Sequence, residues 1–504
     1  MFATSILVAM PVVYLLIRAM DADTAQAIDL VFRWRNLELL WNTLALTAGV
    51  LFVSTLVSYP LAWVTARTDL PFRKTVTTLA ILPLAIPGYV MAYTLISLGG
   101  ANGTVVQLFG VEVPRISGYL GALLSVSSYS FPYLYLNLRA GFLGLDPAQE
   151  EAARSLGMNT RQIFFKIWVP HLKPAYLSGA LIIVLYVLGD FGAVSLMRYE
   201  TISYALFMQY AGSYDRIYAA WLALMLIALT ATLLLAEARL LKGVRLSRVG
   251  TGAQRHRSST LGPWKGVVFT GIGLIVLSSL VVPVGTVLFW MGKSATHAGW
   301  TDVATSLLNS VRVSAPAALL ACVMAIPLAY VSVRYPSRLA SFFERIAWFG
   351  FATPPLALGL AFIFFSLSAA PWLYQTLVVL VIAYAVHFLA EALGPIRSAL
   401  YQAPPRLEEA ARSLGYAPFA AFRRATLPLL RNGTIAGSAF VFLSAMKELP
   451  ITFILAPVGF ESLAMNVWGY TNEAMFADAA PFALILLLLS SLFVGFLFTR
   501  ELKP

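Results

Sequence analysis

Long apolar runs dominate this chain and limit the folds that it can adopt. Four of them carry at most one charged residue each, at 175–197, 216–236, 266–291 and 478–498. At about 1.5 Å per residue, a helix of this length crosses the roughly 30 Å hydrocarbon core of a bilayer. Only 12% of the 504 residues are charged, whereas soluble proteins average about a quarter. The sequence therefore predicts a polytopic membrane protein.

Helices are the expected form of these spans, because a helix satisfies its backbone hydrogen bonds within one segment. A transmembrane barrel would show short segments of alternating polarity instead. We predict an all-α fold with about twelve transmembrane helices, near residues 2–19, 41–66, 76–99, 118–141, 174–197, 216–240, 266–291, 307–333, 345–368, 372–396, 433–456 and 478–499. The first span lacks a small-residue cleavage site, so we expect a retained helix rather than a signal peptide.

The charges between the predicted spans alternate in sign from one loop to the next. The stretch 239–265 carries seven bases and no acid, whereas 457–477 carries two acids and no base. A positive excess is typical of cytoplasmic loops, so both termini and the 242–265 segment are predicted to be cytoplasmic. Topology thus accounts for the net charge of +12. No basic patch with interleaved aromatic residues indicates nucleic-acid binding.

The chain contains an internal repeat. The octet EEAARSLG occurs at 150–157 and again at 408–415, and YPLAWVTAR at 59–67 corresponds to IPLAYVSVR at 326–334. We therefore divide the chain into a first half at 1–241, a cytoplasmic linker at 242–265 and a second half at 266–504. Both copies face the same side of the membrane, which predicts two six-helix halves related by a pseudo-two-fold axis along the membrane normal. A transport pathway is expected where such halves meet.

Each octet is predicted to lie in a short cytoplasmic helix with defined ends. In the first copy Asp146 is a candidate N-cap, Pro147 suits the first helical position and Gly157 suits a left-handed C-terminal cap. The second copy lacks the Asp cap and begins at Pro404 and Pro405. One interpretation is an amphipathic elbow between two spans. The other is a pair of identical helices that dock on two identical partner surfaces, which explains why eight residues are identical.

The octets extend into a motif that resembles the signature loop of ABC importer permeases. The first copy has Glu151-Ala152-Ala153, Gly157, Ile167 and Pro170, with Val169 in place of the usual Leu. The second copy has Glu409-Ala410-Ala411, Gly415 and Pro428, with Ala425 where Ile is usual. The resemblance extends over nearly the whole chain. The fusion of two halves, together with stretches such as GDFGAVSLMRYETISYAL at 189–206, is most similar to the iron(III)-type permeases.

The resemblance implies a type I importer in the bacterial inner membrane. Two copies of a separate ABC ATPase would receive the two loops as coupling helices, and a solute-binding protein would deliver substrate on the outer face. ATP and Mg²⁺ would be bound by the ATPase, so no cofactor is expected in this chain. Four alanines would allow close approach to the ATPase groove, and two glycines would set the angle after the helix. Glu151 and Glu409 are expected to hold the loops in place through a cap or an ion pair.

Motifs of enzymes are missing from the sequence. No G-x-x-x-x-G-K-[ST] phosphate loop, no H-E-x-x-H metal motif and no G-x-S-x-G nucleophile elbow occurs. The single cysteine, Cys322, excludes a disulfide framework and a cysteine-based metal site. We therefore expect a transport subunit that catalyses no reaction, with no metal site firmly assigned.

Two acidic residues, Asp190 and Glu448, lie in or near the fifth and eleventh spans at the same 258-residue offset as the octets. Ionisable groups at membrane depth usually face a cavity or a partner. One hypothesis is that the two carboxylates approach each other across the pseudo-two-fold axis and line a cation path with Tyr186. The alternative is structural: each acid caps a broken helix or pairs with a base such as Lys447. Glu391 has no acidic counterpart and is expected to be an isolated group.

Several functions remain open at this point. Ferric iron is the favoured substrate, while permeases for thiamine, phosphonate, sulfate or polyamines share the loop. A secondary transporter driven by an ion gradient is the alternative from another class, with Asp190 and Glu448 as coupling sites. That alternative gives no reason for the duplicated octet. A membrane-embedded enzyme lacks any residue constellation to support it.

Overall fold

The computed structural model describes residues 2–21, 32–213, 216–241, 260–294 and 299–501. Within these ranges the chain is mostly helical and contains no strand. The first part of the chain forms helices α1 to α12 at Phe2–Ala19, Trp34–Arg67, Arg73–Ile81, Gly88–Leu98, Thr104–Phe109, Gly118–Leu143, Pro147–Ser155, Thr160–Ile163, Val169–Gly189, Gly192–Leu196, Ile202–Met208 and Arg216–Leu241. The rest forms α13 to α25 at Lys265–Val276, Val282–Lys293, Trp300–Arg334, Arg338–Ala352, Pro355–Ala369, Leu377–His387, Leu389–Gln402, Pro405–Ser413, Pro418–Ala421, Arg431–Met446, Pro450–Leu455, Leu463–Asn472 and Phe476–Glu501.

Among the described residues, seven helices are long and apolar enough to cross a membrane. Three further pairs of helices pass the same test as bent spans, which raises the number to ten. Every predicted span overlaps a helix, but twelve crossings is a finer statement than this test supports. The predicted span at 118–141 forms α6, which is rich in Ser, Tyr and Gly and is not among the ten.

The third and ninth predicted spans are both sharply bent, and each bend lies next to a proline. The helical segments Arg73–Ala85 and Gly88–Leu98 meet at 93°, next to Pro87. Helices α16 and α17 meet at 105°, next to Pro354. Proline lacks the N–H that continues a helix, which explains both breaks. A third bend of 51° separates α18 from α19 and has no proline at the break, so the sequence did not indicate it.

The described helices form two compact units, and each unit combines segments from both predicted halves. The unit that contains the first octet comprises 38–201, 229–297 and 467–504, and we call it the first-octet unit. The second-octet unit comprises 1–37, 202–228 and 298–466. The division at 241 and 266 therefore follows the sequence repeat, whereas packing groups the helices differently. That division stays a prediction about the repeat.

In the first-octet unit, helix α14 packs against α4 and α25. Trp290 of α14 lies 5.5 Å from the ring of Phe476 at the start of α25. Tyr93 of α4 donates a hydrogen bond of 3.0 Å to the Phe476 carbonyl. A segment of the second sequence half thus completes the core of the first-octet unit.

In the second-octet unit, the N-terminal helix α1 packs against α16 and α17. The rings of Tyr14 and Phe365 meet edge to face at 5.5 Å, and the Arg18 guanidinium lies 6.0 Å from the Phe364 ring. The N-terminal helix of the first sequence half therefore belongs to the core of the second-octet unit.

Most of the predicted linker, at 242–259, lies outside the described residues. Its final part is fixed to the short loop after α2 by one aspartate. Asp69 Oδ1 accepts a hydrogen bond of 2.8 Å from the Leu261 N–H, and Lys265 Nζ lies 3.4 Å from Asp69 Oδ2. Both contacts lower the pKa of the Asp69 carboxyl, the Leu261 N–H more than Lys265.

Candidate functional site

The first octet forms a helix with the ends that its sequence predicts. Helix α7 begins after Asp146, whose carboxylate accepts a hydrogen bond of 2.9 Å from the Ala148 N–H. At the other end Gly157 has φ +78°. The Met158 N–H donates to the Ala153 carbonyl at 3.0 Å, and the Gly157 N–H donates to Arg154 at 2.9 Å. This pair of bonds is a Schellman motif, so the left-handed cap is confirmed.

The second octet forms α20 with the same C-terminal geometry. Gly415 has φ +89°, and the Tyr416 N–H donates to the Ala411 carbonyl at 3.2 Å. The N-terminus follows Pro404 and has no side-chain cap, as the sequence indicated. Both octets therefore end in the same left-handed turn, which sets the direction of the following segment.

A π-helical turn follows each octet at the same position of the repeat. The turn is Phe164–Trp168 in the first copy and Phe422–Thr426 in the second. Single π-turns often occur at functional sites. Here the last residue of each turn, Trp168 or Thr426, donates a hydrogen bond to a glutamate of the preceding octet helix. The repeat thus preserves an irregular backbone together with its contact.

In the first octet that glutamate is Glu150, which is 7% exposed. The guanidinium of Arg67, itself 6% exposed, forms an ion pair with the Glu150 carboxylate. Trp168 Nε1 donates to Glu150 Oε1 at 2.9 Å, and the exposed Arg154 lies 3.9 Å from Oε2. A buried carboxylate is stable only when it is paired and hydrogen-bonded. Glu150 therefore fixes α7 to the end of α2 and to the π-turn.

In the second octet the corresponding glutamate, Glu408, is 8% exposed and has different partners. The Tyr330 hydroxyl donates to Glu408 Oε1, and the Thr426 hydroxyl donates to Oε2 at 2.8 Å. Arg334, which matches Arg67 in the repeat, donates to the Ala403 carbonyl at 2.7 Å instead. In the part of the chain that the structure describes, no basic nitrogen lies within 4.0 Å of the Glu408 carboxylate. Two hydroxyls thus hold the second octet where an arginine and an indole hold the first.

The role expected for Glu151 and Glu409 needs a correction. Both side chains are exposed, and the contacts that hold the octet helices belong to the preceding residues, Glu150 and Glu408. We call Glu150 and Glu408 the inner glutamates and Glu151 and Glu409 the outer glutamates. The sequence alone cannot distinguish two adjacent glutamates. In the structure the buried Ala153 lies three residues after Glu150, on the same face of the helix.

The outward surface of each octet helix presents a small alanine and, at its end, a large leucine, beside exposed charged side chains. Ala152 and Ala410 are exposed, whereas Ala153 is buried and Ala411 is half-buried. Leu156 and Leu414, just before the glycines, are each 79% exposed. Each turn therefore holds one large apolar side chain out from the surface at the same position of the repeat. The outward faces of the two octets are thus alike in sequence and in exposure.

The predicted path residues Asp190 and Tyr186 belong to one cluster in the first-octet unit. Asp190 follows α9 and accepts hydrogen bonds from the Ala193 N–H at 2.8 Å and from the Tyr129 hydroxyl at 2.8 Å. Tyr133 donates to the Tyr186 hydroxyl at 2.7 Å, and their rings stack at 4.7 Å. The cluster therefore gathers one carboxylate and three phenols, while Asp190 also caps the short helix α10.

Glu448 has a similar capping position in the second-octet unit. Its carboxylate accepts a hydrogen bond of 3.0 Å from the Ile451 N–H at the start of α23. Glu391, expected to be isolated, interacts electrostatically with Lys447 and with Glu448. Asp190 and Glu448 thus each cap a broken helix, as the structural alternative predicted. The repeat places His387, Glu391, Ser444 and Glu448 where the first copy has Tyr129, Tyr133, Tyr186 and Asp190.

Known proteins resemble the chain over both copies of the repeat. The model of a family described as binding-protein-dependent transport system inner membrane component matches residues 58–245 and 317–504. An Fe(3+)-transport system permease protein of Haemophilus influenzae is 34% identical over 492 residues, which cover 96% of this chain and 94% of that protein. A sulfate transport system permease protein of Salmonella typhimurium is 33% identical over 27% of this chain and 49% of its own length. A molybdenum transport system permease protein of Escherichia coli is 29% identical over 30% of this chain and 69% of its own length.

Proposed function

The chain belongs to the family of binding-protein-dependent transport system inner membrane components, and we propose that it is the permease of a ferric iron importer. The single observation that carries the choice of iron is the extent of the similarity. The Fe(3+)-transport permease aligns with 96% of this chain, whereas the sulfate and molybdenum permeases align with 27% and 30%. Members of this family act together with an ATPase and a solute-binding protein.

The two octet helices, α7 and α20, would be the coupling helices of this importer. Their outward faces carry the same residues, with an exposed leucine before a left-handed glycine. Two identical faces suit two copies of one partner, so the proposal includes two ATPase subunits for each chain. Ala152, Ala153, Ala410 and Ala411 would permit close approach to the ATPase groove, the outer glutamates would border the contact, and Gly157 and Gly415 would set its angle. ATP and Mg²⁺ would be bound by the ATPase.

The proposed topology has twelve crossings, with both termini and both octets in the cytoplasm. The alternating charge of the loops supports this orientation. Three bent helix pairs would each count as one crossing. Helices α1 and α6 would be the remaining two, since both are helical and of sufficient length when flanked by interfacial residues. The solute-binding protein would then dock on the opposite, outer side, and lipid would surround the apolar helices.

We further propose that Asp190, Tyr186 and Glu448 line the path of the cation. Carboxylate and phenol oxygens are hard ligands, and a ferric ion is a hard cation. Support comes from the cluster in which Tyr129 donates to Asp190 and meets the ring of Tyr186, which accepts a hydrogen bond from Tyr133. A transporter must also release its ion, which favours transient contacts with such oxygens over a closed metal site.

Co-purification from membranes in mild detergent tests the coupling role. The test variant combines Gly157→Pro with Gly415→Pro, because proline cannot adopt a positive φ. Gly110→Pro is the matched control, since Gly110 is also left-handed (φ +69°) with open space around it but lies outside the octets. We expect two ATPase subunits per chain with the wild type and with the control. The double variant should lose both ATPase subunits while it remains monodisperse. A wild type without any ATPase would overturn the importer proposal.

Transport in proteoliposomes tests the substrate and the energy source. Uptake of labelled ferric iron should require ATP, the ATPase and the binding protein, and it should persist when an uncoupler removes the proton gradient. Sulfate and molybdate, supplied with their own binding proteins, serve as control substrates. Uptake that collapses with the uncoupler and proceeds without ATP would instead establish the gradient-driven transporter.

A further inference from the structure

We propose that the inner glutamates, Glu150 and Glu408, are positioning residues that connect each coupling helix to two membrane helices through unlike chemistry. The first connection depends on charge, and the second depends on hydroxyl donors. This inference rests on the proposed coupling function of the octets. It assigns the contact between each coupling helix and the membrane helices to the residue that precedes the Glu-Ala-Ala of the signature motif.

Each inner glutamate contacts a membrane helix from earlier in the chain and the segment that leads into the membrane helix after its own loop. Glu150 pairs with Arg67, the last residue of α2, and bonds to Trp168, which directly precedes α9. Glu408 bonds to Tyr330 near the end of α15 and to Thr426, which lies five residues before α22. A displacement of the nine-residue coupling helix is therefore passed to two membrane helices through one carboxylate.

Aromatic rings surround both connections and limit the access of water to them. Trp168 packs against Phe142 and Phe164, with ring centroids 6.0 and 6.1 Å away. Tyr330 meets the ring of Phe422 edge to face at 4.9 Å. Hydrogen bonds and ion pairs are stronger in such low-dielectric surroundings than in water, and an unpaired group is correspondingly costly. The loss of a partner at either glutamate should therefore weaken the link between the coupling helix and the membrane helices, because water has little access to replace that partner.

The substitution of glutamate by glutamine separates the two kinds of connection. At Glu150 the amide removes the negative charge and leaves the buried Arg67 guanidinium without its counter-ion. At Glu408 the amide oxygen still accepts from Tyr330, and the amide NH₂ can donate to the Thr426 hydroxyl, which rotates to accept. Identical changes at equivalent positions should thus have unequal effects.

Amide hydrogen exchange of the permease alone, in lipid nanodiscs, is the primary experiment. With Glu150→Gln we expect exchange of the 147–158 segment to rise at least tenfold. With Glu408→Gln we expect the 405–416 segment to change less than threefold. Glu151→Gln and Glu409→Gln are matched controls and should leave exchange unchanged, since the outer glutamates are exposed. Equal rises at the two inner positions, or no rise at Glu150, would overturn the inference.

Rescue distinguishes loss of charge balance from simple misfolding. The double variant Arg67→Gln with Glu150→Gln restores a neutral pair that can hydrogen-bond. Its exchange should return to within threefold of the wild type. A double variant as labile as Glu150→Gln alone would show that the ion pair is not what holds the first coupling helix.

The assembled transporter gives the second readout. Glu150→Gln should keep two ATPase subunits but reduce the stimulation of ATP hydrolysis by the loaded binding protein at least tenfold, while Glu408→Gln should reduce it less than threefold. Full stimulation in Glu150→Gln would contradict the positioning role. If the wild type binds no ATPase, the proposed function fails, and the exchange experiment still decides how the helices are held.

Discussion

The two octet loops have the same outward face and different inward contacts. Outside, each presents an exposed alanine, an outer glutamate and an exposed leucine before a left-handed glycine. Inside, Glu150 pairs with Arg67 and bonds to an indole, whereas Glu408 accepts two hydroxyl hydrogen bonds. The difference arises although the octets are identical in sequence, because the partners lie elsewhere in each half.

The comparison shows which constraints act on each face. A face that meets two copies of one partner must keep the same chemistry in both loops. An inward contact involves only residues of its own unit, so it can change whenever its partner changes with it. Tyr330 stands where the first copy has Trp63, and Thr426 stands where it has Trp168. The Arg334 side chain, which matches Arg67, donates to the Ala403 carbonyl instead of a glutamate. Under the proposed coupling role, the identity of the octets reflects the surface of the partner and says little about how the loops are held.

The test with the largest expected effect removes the matching arginines. Arg67→Ala leaves the buried Glu150 with only the exposed Arg154, 3.9 Å away, as a counter-ion, and breaking a buried pair costs about 3–5 kcal/mol. Arg334→Ala removes one hydrogen bond to the Ala403 carbonyl from a half-buried side chain, which costs about 1 kcal/mol. Thermal unfolding of the purified permease should show a much larger loss for the first variant.

Arg338→Ala serves as the control for this experiment, because Arg338 is exposed at the start of α16. It should unfold like the wild type. Equal losses for Arg67→Ala and Arg334→Ala would mean that charge is no more important in the first loop than in the second.

The parts of the molecule that the sequence predicts are those with local causes. The caps at Asp146, Gly157 and Gly415 follow from side-chain and backbone preferences within one short segment. The bends after Ala85 and after Ala352 follow from prolines. The bend between α18 and α19 has no such residue, and it depends on packing that no local pattern records.

The parts that the sequence misses depend on contacts between distant residues. Glu150 and Arg67 are 83 positions apart, and nothing in either segment identifies the pair. Adjacent glutamates look equivalent until the helix is oriented against its neighbours. The repeat likewise identifies equivalent residues but does not show which helices pack together, so the two compact units differ from the two halves of the repeat.

A smaller test addresses what the loops share. Gly157→Ala and Gly415→Ala each place a Cβ in open space at a positive φ, so the cost is backbone strain of about 1–2 kcal/mol for either residue. Thermal unfolding should show equal losses at the two positions. Gly273→Ala is the control, since Gly273 lies inside a helix with open space and alanine favours helix there. Unequal losses would mean that the two turns are not the same structure.

The smallest expected effect comes from a contact that only the first copy has. Asp69 bonds to the Leu261 N–H and to Lys265, whereas the matching position of the repeat is Pro336. The folded pKa of Asp69 lies below its unfolded value because of these contacts. The stabilisation they give is therefore complete above the unfolded pKa of about 3.9 and is lost as pH falls through the folded pKa.

Hydrogen exchange of the Leu261 amide measures this effect. At neutral pH the Leu261 amide should exchange slowly in the wild type. In Asp69→Asn its exchange should rise only moderately, since the Asn oxygen still accepts the hydrogen bond. Asp69→Ala should therefore exchange faster than Asp69→Asn. Lys265 contacts Asp69 Oδ2 at 3.4 Å, whereas the Leu261 N–H bonds to Oδ1, so Lys265→Gln should matter less for the Leu261 amide than loss of its acceptor. The reverse order would show that charge, rather than the backbone hydrogen bond, fixes the end of the linker to the first loop.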